Sequence, residues 1–389
     1  MVIGTLFTAP VAGISTGGAG VLHVRGHCIF MDYTVPGDLI IGRITGVHKG
    51  WARGELVEIL EPSPRRRTPV CEVFGTCGAC SLQHLAYETQ ITEKAGILQE
   101  ALVRIGGLST PPQPKWYAAP PGAYRNRVQL HCIRPFSPGA LGFKSRNSAR
   151  IIPLTDCPVA DPGIRHALRE TALLPPPGQD RFTVYSRFNT FLSEGGLCRG
   201  RVPLLDRELL LDAGVFFQSN GLMAELLIQD LRRYAQEADP SLPMADLYCG
   251  VGTFAAFLQD RFPRMDLVEQ NGRALELARE NVRGKGVRYA AVSSDQWVRT
   301  LPHKGPYGFM VVDPPRQGLS PGIRGWIARK GPPLLAYVSC DPATLARDSR
   351  ALLQGGYELR ELRCYDFYPH TAHIESLGVF TRKRTFHDP

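Results

Sequence analysis

No apolar run in this 389-residue chain approaches the roughly 20 residues that a membrane-spanning helix needs, which excludes an integral helical membrane protein. Lys and Arg are missing ahead of Arg25, and Gly, Thr and Pro interrupt the opening segment. The charged start and clean apolar stretch of a secretory leader are therefore not there. A cytoplasmic protein is expected, whose 10 cysteines stay reduced and free for metal binding or catalysis. Acid is missing as well, from one long stretch. Ala101–Thr155 holds no Asp or Glu, yet carries eight bases: Arg104, Lys115, Arg125, Arg127, Arg134, Lys144, Arg146 and Arg150. The whole chain sets 45 Lys+Arg against 36 Asp+Glu, so eight of its nine surplus positive charges fall there. Trp116, Tyr117, Tyr124, Phe136 and Phe143 lie among them. Cationic side chains neutralise phosphates and aromatic faces stack on unpaired bases, so a nucleic-acid partner is expected over a small acidic metabolite.

With 43% hydrophobic and 21% charged residues, the composition is that of a globular chain long enough for two or three domains. Residues 1–62 hold short β-rich runs, Val21–Val24, Cys28–Tyr33, Asp38–Thr45 and Gly54–Leu60, with no helical period. They predict a small antiparallel, OB-like barrel. Pro62–Pro69 reads as a stiff basic linker. Residues 70–212 predict a mixed central α+β domain, with one clear helix marked by Ile91, Ala95, Leu98, Leu102 and Ile105 and stopped at Gly106-Gly107. From 213 to 389, strands at Ala245–Tyr248, Met265–Glu269, Val287–Val292, Phe309–Asp313, Leu334–Val338, Tyr357–Asp366 and Leu377–Thr381 alternate with helices. That alternation predicts a doubly wound, mostly parallel sheet.

Four constellations carry chemistry. Cys71-x5-Cys77-x2-Cys80 places three thiols within ten residues, and Cys157, followed by Pro, supplies a fourth. Zinc sites more often show two matched pairs, so this 3+1 set favours an iron–sulfur cubane. Gly250-Val-Gly252-Thr253-Phe-Ala255 after a strand fits the glycine fingerprint of a nucleotide site, and Glu269 ends the next strand, where an acid can hold a ribose diol. Dehydrogenases and S-adenosylmethionine enzymes share that arrangement. Asp313-Pro314-Pro315-Arg316 forms a rigid lip at a strand's carboxyl end; Arg316 stands where some adenine N-methyltransferases keep an aromatic, which speaks against that chemistry. Finally, Cys340 opens from a strand end toward the same crevice, and His370, His373 and Glu375 precede the last strand. A base serving cysteine chemistry explains Glu375 more simply than a metal site does.

Six segments in order, Cys-x5-Cys-Gly-x-Cys-x2-Gln-His, Phe217-Gln-Ser-Asn220, Asp246-Leu-Tyr-Cys-Gly-Val-Gly-Thr-Phe254, Asp313-Pro-Pro-Arg316, Ser339-Cys-Asp-Pro-Ala-Thr344 and His370-Thr-Ala-His-Ile-Glu-Ser376, resemble those of RNA uracil-5 methyltransferases over essentially the whole chain. The resemblance implies a class I S-adenosylmethionine-dependent methyltransferase fold with an N-terminal TRAM-like barrel that binds RNA. It implies Cys340 as nucleophile and Glu375 as the proton-abstracting base. Cofactor contacts are implied for Gln218, Tyr248, Thr253, Glu269, Asp295 and Asp313, with Asp295 placed on a stretch that carries no sharp motif. Thr253 departs from relatives that carry Asn; its hydroxyl offers the hydrogen bond instead. Cys71, Cys77, Cys80 and Cys157 are implied as ligands of a [4Fe-4S] cluster. Cys28, Cys132, Cys198, Cys249 and Cys364 are expected to be packing residues.

This reading makes chemical sense, because carbon 5 of uracil becomes a nucleophile only after a thiolate adds at carbon 6. A cytosine-5 methyltransferase would share that logic but has no need of Glu375 and often carries a second Cys in the Asp-Pro-Pro segment. A nicotinamide oxidoreductase leaves Cys340, Glu375 and the basic stretch unexplained, and a non-catalytic iron–sulfur RNA-binding protein leaves both reactive side chains unexplained. The barrel and cluster together resemble the branch acting on 23S ribosomal RNA more than the branch acting on transfer RNA. A monomer without membrane contact is expected.

Overall fold

The computed structural model describes residues 1–118, 120–133, 141–146, 148–300 and 306–382; Arg134 and Phe136 of the basic stretch lie outside them. Strands β1 (Leu6–Ile14), β2 (Gly20–Val24), β3 (His27–Met31), β4 (Leu39–His48) and β5 (Trp51–Glu61) close into a barrel of order β1-β2-β3-β5-β4. Alternating side chains such as Leu22, Ile29, Ile40 and Ile44 fill it. The first strand escaped the sequence reading because Pro10 lies inside it, yet Pro10 keeps its place opposite Leu39. The linker is anchored rather than free. Asp38, fully buried, accepts the backbone N–H of Ser63 (2.8 Å) and the Arg66 guanidinium (2.6 Å).

There follow α1 (Tyr87–Arg104), β6 (Lys115–Tyr117), β7 (Arg127–Cys132), β8 (Leu141–Lys144), β9 (Ile151–Pro153), α2 (Pro162–Arg169), β10 (Arg181–Arg187), β11 (Thr190–Ser193), β12 (Arg199–Leu204) and β13 (Arg207–Asp212). A five-stranded sheet of order β11-β10-β7-β8-β9 forms the central unit, beside the β12-β13 hairpin. The last part comprises α3 (Gly221–Ala235), β14 (Met244–Leu247), α4 (Thr253–Leu258), β15 (Met265–Val268), α5 (Gly272–Asn281), β16 (Val287–Ala290), α6 (Ser294–Arg299), β17 (Phe309–Val312), α7 (Pro321–Lys330), β18 (Leu334–Ser339), α8 (Pro342–Gln354), β19 (Tyr357–Tyr365) and β20 (Glu375–Arg382). Its eight strands run β16-β15-β14-β17-β18-β20-β19-β6. The five from β16 to β18 are parallel, and β20 runs against both β18 and β19. Strand order reverses at β14, so a crevice opens beyond the carboxyl ends of β14 and β17, where open sheets bind ligands.

The segment 70–212 is divided among three sheets. Strand β6 adds to the edge of the large sheet beside β19, and α1 packs on α8 through Leu98 and Leu102 against Leu345, Ala346 and Leu352. The helix also lies rotated from its expected face. Its buried side chains are Gln90, Lys94, Leu98 and Leu102, while Ile105 is 41% exposed. Two polar residues occupy the inner stripe because each finds a buried partner, and the apolar period alone could not show that.

Nor does the basic stretch form one patch. Arg104 pairs with Glu100, and Arg146 makes a two-point contact with Asp32 (2.7 and 3.1 Å) that ties the barrel to the central sheet. Tyr124 and Phe143 are buried, and Tyr117 stacks on Tyr365 with ring centroids 5.1 Å apart. Among the described residues no helix is long and apolar enough to cross a membrane.

Candidate active site

The cofactor side of the crevice begins where β14 ends. Tyr248, Gly250 and Gly252 all adopt left-handed backbone conformations (φ 65°, 55° and 78°), turning the chain sharply into α4. A Cβ at Gly252 would come within 3.0–3.3 Å of Val282 and Ala278, so only glycine lets the loop lie this close to α5. Glu269, just past β15, braces this loop: its carboxylate accepts the N–H of Gly250 (3.1 Å) and of Asn271 (2.7 Å). Beneath the loop Asp246 is fully buried; one oxygen accepts the Ala255 N–H (3.2 Å) and the other has no partner in the protein. Burial, with Asp313 and Glu269 nearby, pushes its carboxyl up to about 8. An orphaned acid below a strained glycine loop fits a site that a polar ligand completes.

Tyr248 and Thr253 both belong to this loop, and the Tyr248 hydroxyl meets Ser294 Oγ at 2.7 Å. Asp295, the next residue, faces elsewhere. Its carboxylate accepts Ser320 Oγ (2.6 Å) and the Ile323 N–H (3.2 Å), capping the amino end of α7. Gln218 is half-buried in the connection before α3. The neighbouring Ser219 hydroxyl meets Tyr368 Oη at 3.2 Å, and Asn220 donates to the Phe367 carbonyl (3.3 Å). The Gln218 segment is thereby fixed against the connection that leads to Glu375.

The reactive side follows from strand register. In the β18–β20 pair Val338 faces Leu377 and Ser339 faces Ser376. Cys340 follows just past the end of β18 and Glu375 begins β20, so both lie at the same end of the paired strands. The thiol feels the carboxylates around it. Burial first, then the Glu375 and Asp313 carboxylates, push the Cys340 thiol up to about 12, while the Arg316 guanidinium pulls it down. Glu375 is buried, and desolvation with Asp313 holds its carboxyl well above the usual range; burial likewise lifts Asp313 to about 7. Arg316 lies 3.4 Å from His373 Nδ1, and burial keeps His373 neutral by lowering it to about 4. A thiol, a carboxyl of raised basicity and a guanidinium thus converge at the sheet edge beside the cofactor crevice. The position of Arg316 in the Asp-Pro-Pro-Arg segment was the signal that could have marked it for this site.

The four motif cysteines sit apart from that crevice, around one small pocket that Val73, Phe74, Phe143 and Leu154 also line. All four are free thiols. Among the described residues no three Cys, His, Asp or Glu side chains form a group that could hold a metal ion. The expected metal centre therefore does not emerge as convergence on a point. Its donor chemistry suits a polynuclear centre better than a single ion: four thiols spread round a mostly apolar pocket, whose Asp156 carboxylate is taken by Arg165 and Arg169. Burial drives the Cys77, Cys80 and Cys157 thiols up, Cys80 to about 12, so only a strongly positive centre would hold them as thiolates.

A glycine-turn crevice at the switch point of a parallel sheet, with antiparallel β20 inserted between β18 and β19, is the architecture of a class I S-adenosylmethionine-dependent methyltransferase. Comparison with known proteins agrees. Residues 207–320 match the model of the methyltransferase small domain, and residues 303–384 that of tRNA (uracil-5-)-methyltransferase. An RNA methyltransferase of Treponema denticola is 32% identical, over 92% of this chain and 94% of its own length. A 23S rRNA (uracil(1939)-C(5))-methyltransferase, RlmD, of Alkalilimnicola ehrlichii is 30% identical over 97% of both chains. The chain belongs to the RNA uracil-5 methyltransferase family. In fold it is similar to the tRNA (uracil-54, C5)-methyltransferase of Pyrococcus abyssi, solved with S-adenosyl-L-homocysteine, at 24% identity and a TM-score of 0.72 over 96% of this chain and 99% of that one.

Proposed function

We propose that this enzyme methylates carbon 5 of a uridine in RNA, with 23S ribosomal RNA as the substrate, and that Cys340 and Glu375 carry the reaction. The observation that bears most weight is their place at one end of the paired strands, Cys340 just past β18 and Glu375 first in β20, with the Glu375 charge felt at the thiol, since the chemistry needs a nucleophile and a base on adjacent ring carbons. The Cys340 sulfur forms a bond to carbon 6, and the electron pair of the 5,6 double bond moves to carbon 5 and O4. S-adenosylmethionine, when bound, would supply the methyl group that carbon 5 takes up; its sulfonium S–CH3 bond would break and the remainder leave as S-adenosylhomocysteine. Glu375 then removes the carbon-5 proton, the double bond re-forms, and the sulfur leaves carbon 6 as thiolate. Arg316, which eases the cost of charge on Cys340, favours the first of these steps.

Tyr248, Thr253, Glu269 and Asp313 border the glycine turn and are proposed, together with Gln218, to hold the cofactor. Asp295 is proposed to act at one remove, through the α6–α7 corner beside Ser294 and Tyr248. The barrel is read as a TRAM-like RNA-binding unit. His48 stacks on Trp51 with ring centroids 3.9 Å apart, and the Arg53 guanidinium lies 5.9 Å from the same ring. Mass spectrometry of RNA from a strain lacking the gene is expected to show one 5-methyluridine lost from 23S rRNA. Loss from transfer RNA instead would move the substrate to that class, and no loss from either would reject the reading.

The four-cysteine cavity is proposed to hold a [4Fe-4S] cluster through Cys71, Cys77, Cys80 and Cys157, where it would join the Cys71–Cys80 loop to Cys157. Protein purified without oxygen is expected to contain about four iron atoms per chain and to absorb broadly in the visible. A Cys80→Ala variant should lose both signals; full-length protein that carries zinc and no iron would overturn the assignment.

A further inference from the structure

The segment that delivers Glu375 to the crevice is held from behind by α1. Residues 366–374 join β19 to β20 without regular structure of their own. The Asp366 carboxylate accepts Lys94 Nζ (2.6 Å) and the Tyr87 hydroxyl (2.7 Å), and Lys94 also donates to the Tyr368 carbonyl (3.2 Å). Gln90, fully buried, uses both ends of its amide. Its oxygen accepts the His370 N–H (2.9 Å), and its nitrogen donates to the carbonyls of Leu82 (3.0 Å) and Leu85 (2.8 Å) and lies 3.2 Å from His370 Nδ1. His370 stands in a left-handed conformation (φ 64°), and its own carbonyl accepts the N–H groups of Ser81 and Leu82, both at 2.9 Å.

Tyr87, Gln90 and Lys94 lie at spacings of three and four, hence on one face of the helix. One and two turns farther on, the same face carries Leu98 and Leu102. Packing alone would have been met by Leu throughout, and burying an amide is tolerated only when its partners are fixed in place. All three polar side chains reach the 366–370 segment. The Tyr87 ring meets the His370 ring edge-on, but of the three it is Gln90 whose hydrogen bonds reach both the strained residue, five positions ahead of Glu375, and the chain entering α1.

We propose that Gln90 is a positioning residue for the base: by holding His370 in its left-handed turn, it sets the path of Thr371–Ile374 into β20 and aims the Glu375 carboxylate at the carbon-5 proton. Ser81 and Leu82 directly follow Cys80, so the same contact joins the cysteine loop to the base. This role rests on the reading of Glu375 as the base.

The test separates the step that needs the base from the step that does not. RNA carrying 5-fluorouridine at the target has no carbon-5 proton, so its adduct with Cys340 forms without Glu375. Gln90→Met keeps the length of the side chain and removes its hydrogen bonds. Trapping by this variant is expected to stay within about threefold of the wild-type rate. Turnover on ordinary uridine RNA falls about 10- to 100-fold with KM unchanged, as a misplaced reactive group costs, and the uridine adduct persists on denaturing gels. Tyr87→Phe, which removes one hydroxyl from the same face, shows the same split to a smaller extent and serves if Gln90→Met does not fold. Trapping and turnover that fall together in both variants would mean a merely structural role and overturn the proposal, as would turnover equal to wild type. Absence of trapping in the wild-type enzyme is a separate outcome: it would remove the uracil-5 reading itself, and this role with it.

Discussion

Cys340→Ala is expected to abolish methyl transfer and covalent trapping together, lowering turnover by more than about 10⁴-fold. No second route leads to a nucleophilic carbon 5, so loss of the thiol removes the reaction path rather than weakening one contribution to it. The environment of the thiol makes the result informative. Burial and two neighbouring carboxylates push it up to about 12, so at neutral pH the free enzyme holds this group as the thiol. Attack must therefore be coupled to loss of the thiol proton once the uridine is in place, with Arg316 offsetting part of the charge. Transfer of labelled methyl groups to RNA and gel shift with 5-fluorouridine RNA measure both effects. Residual methylation within about tenfold of wild type would exclude Cys340 as the nucleophile.

Glu375→Gln is expected to divide the reaction differently. Turnover should fall about 10²- to 10⁴-fold, because the carbon-5 proton has no acceptor, while an adduct accumulates on ordinary uridine RNA. The first step should not suffer. The Glu375 carboxylate is one of the groups that hold the Cys340 thiol high, so its neutral replacement lowers that barrier, and trapping by 5-fluorouridine RNA should be as fast as in wild type or faster. The pH dependence has a fixed sign. A base acts in its ionised form, and burial with Asp313 raises the Glu375 carboxyl, so wild-type turnover rises with pH through that raised value and then levels. The glutamine variant should lose that limb. Rapid turnover with an unchanged pH profile would assign the proton to another group.

The parallel strands of the catalytic sheet were legible because each is a short apolar run between helix-forming stretches, and their register could be read no further than their order. Cys340 and Glu375 were recognisable as residues, yet their apposition depends on an antiparallel β18–β20 pairing that no local pattern encodes. The rotation of α1 was hidden for a related reason. Gln90 and Lys94 look like solvent-facing residues until Asp366 and His370, more than 270 positions away, are brought beneath them. Asp295 is a different case. An acid in the expected place has its oxygens taken by the amino end of α7, and Ser294 is the neighbour that reaches Tyr248. The acid-free stretch was visible in composition, but its charges are distributed by the fold among an ion pair with the barrel, the cysteine cavity and the edge of the large sheet.

The placement of α1 and β6 on the large sheet bears on how the chain is made. The ammonium of Lys94 stays without its carboxylate until Asp366 has been synthesised, 272 residues later, and β6 has no neighbour until β19 exists. The amino-terminal barrel closes on its own strands and can form while the remainder is still being translated. The catalytic half cannot: its first helix waits for nearly its last strand, with high contact order and a buried charge unpaired in the interval. Completion of the chain and assembly of the reaction site are therefore one event, and a nascent chain released early holds a closed barrel without the means to modify RNA.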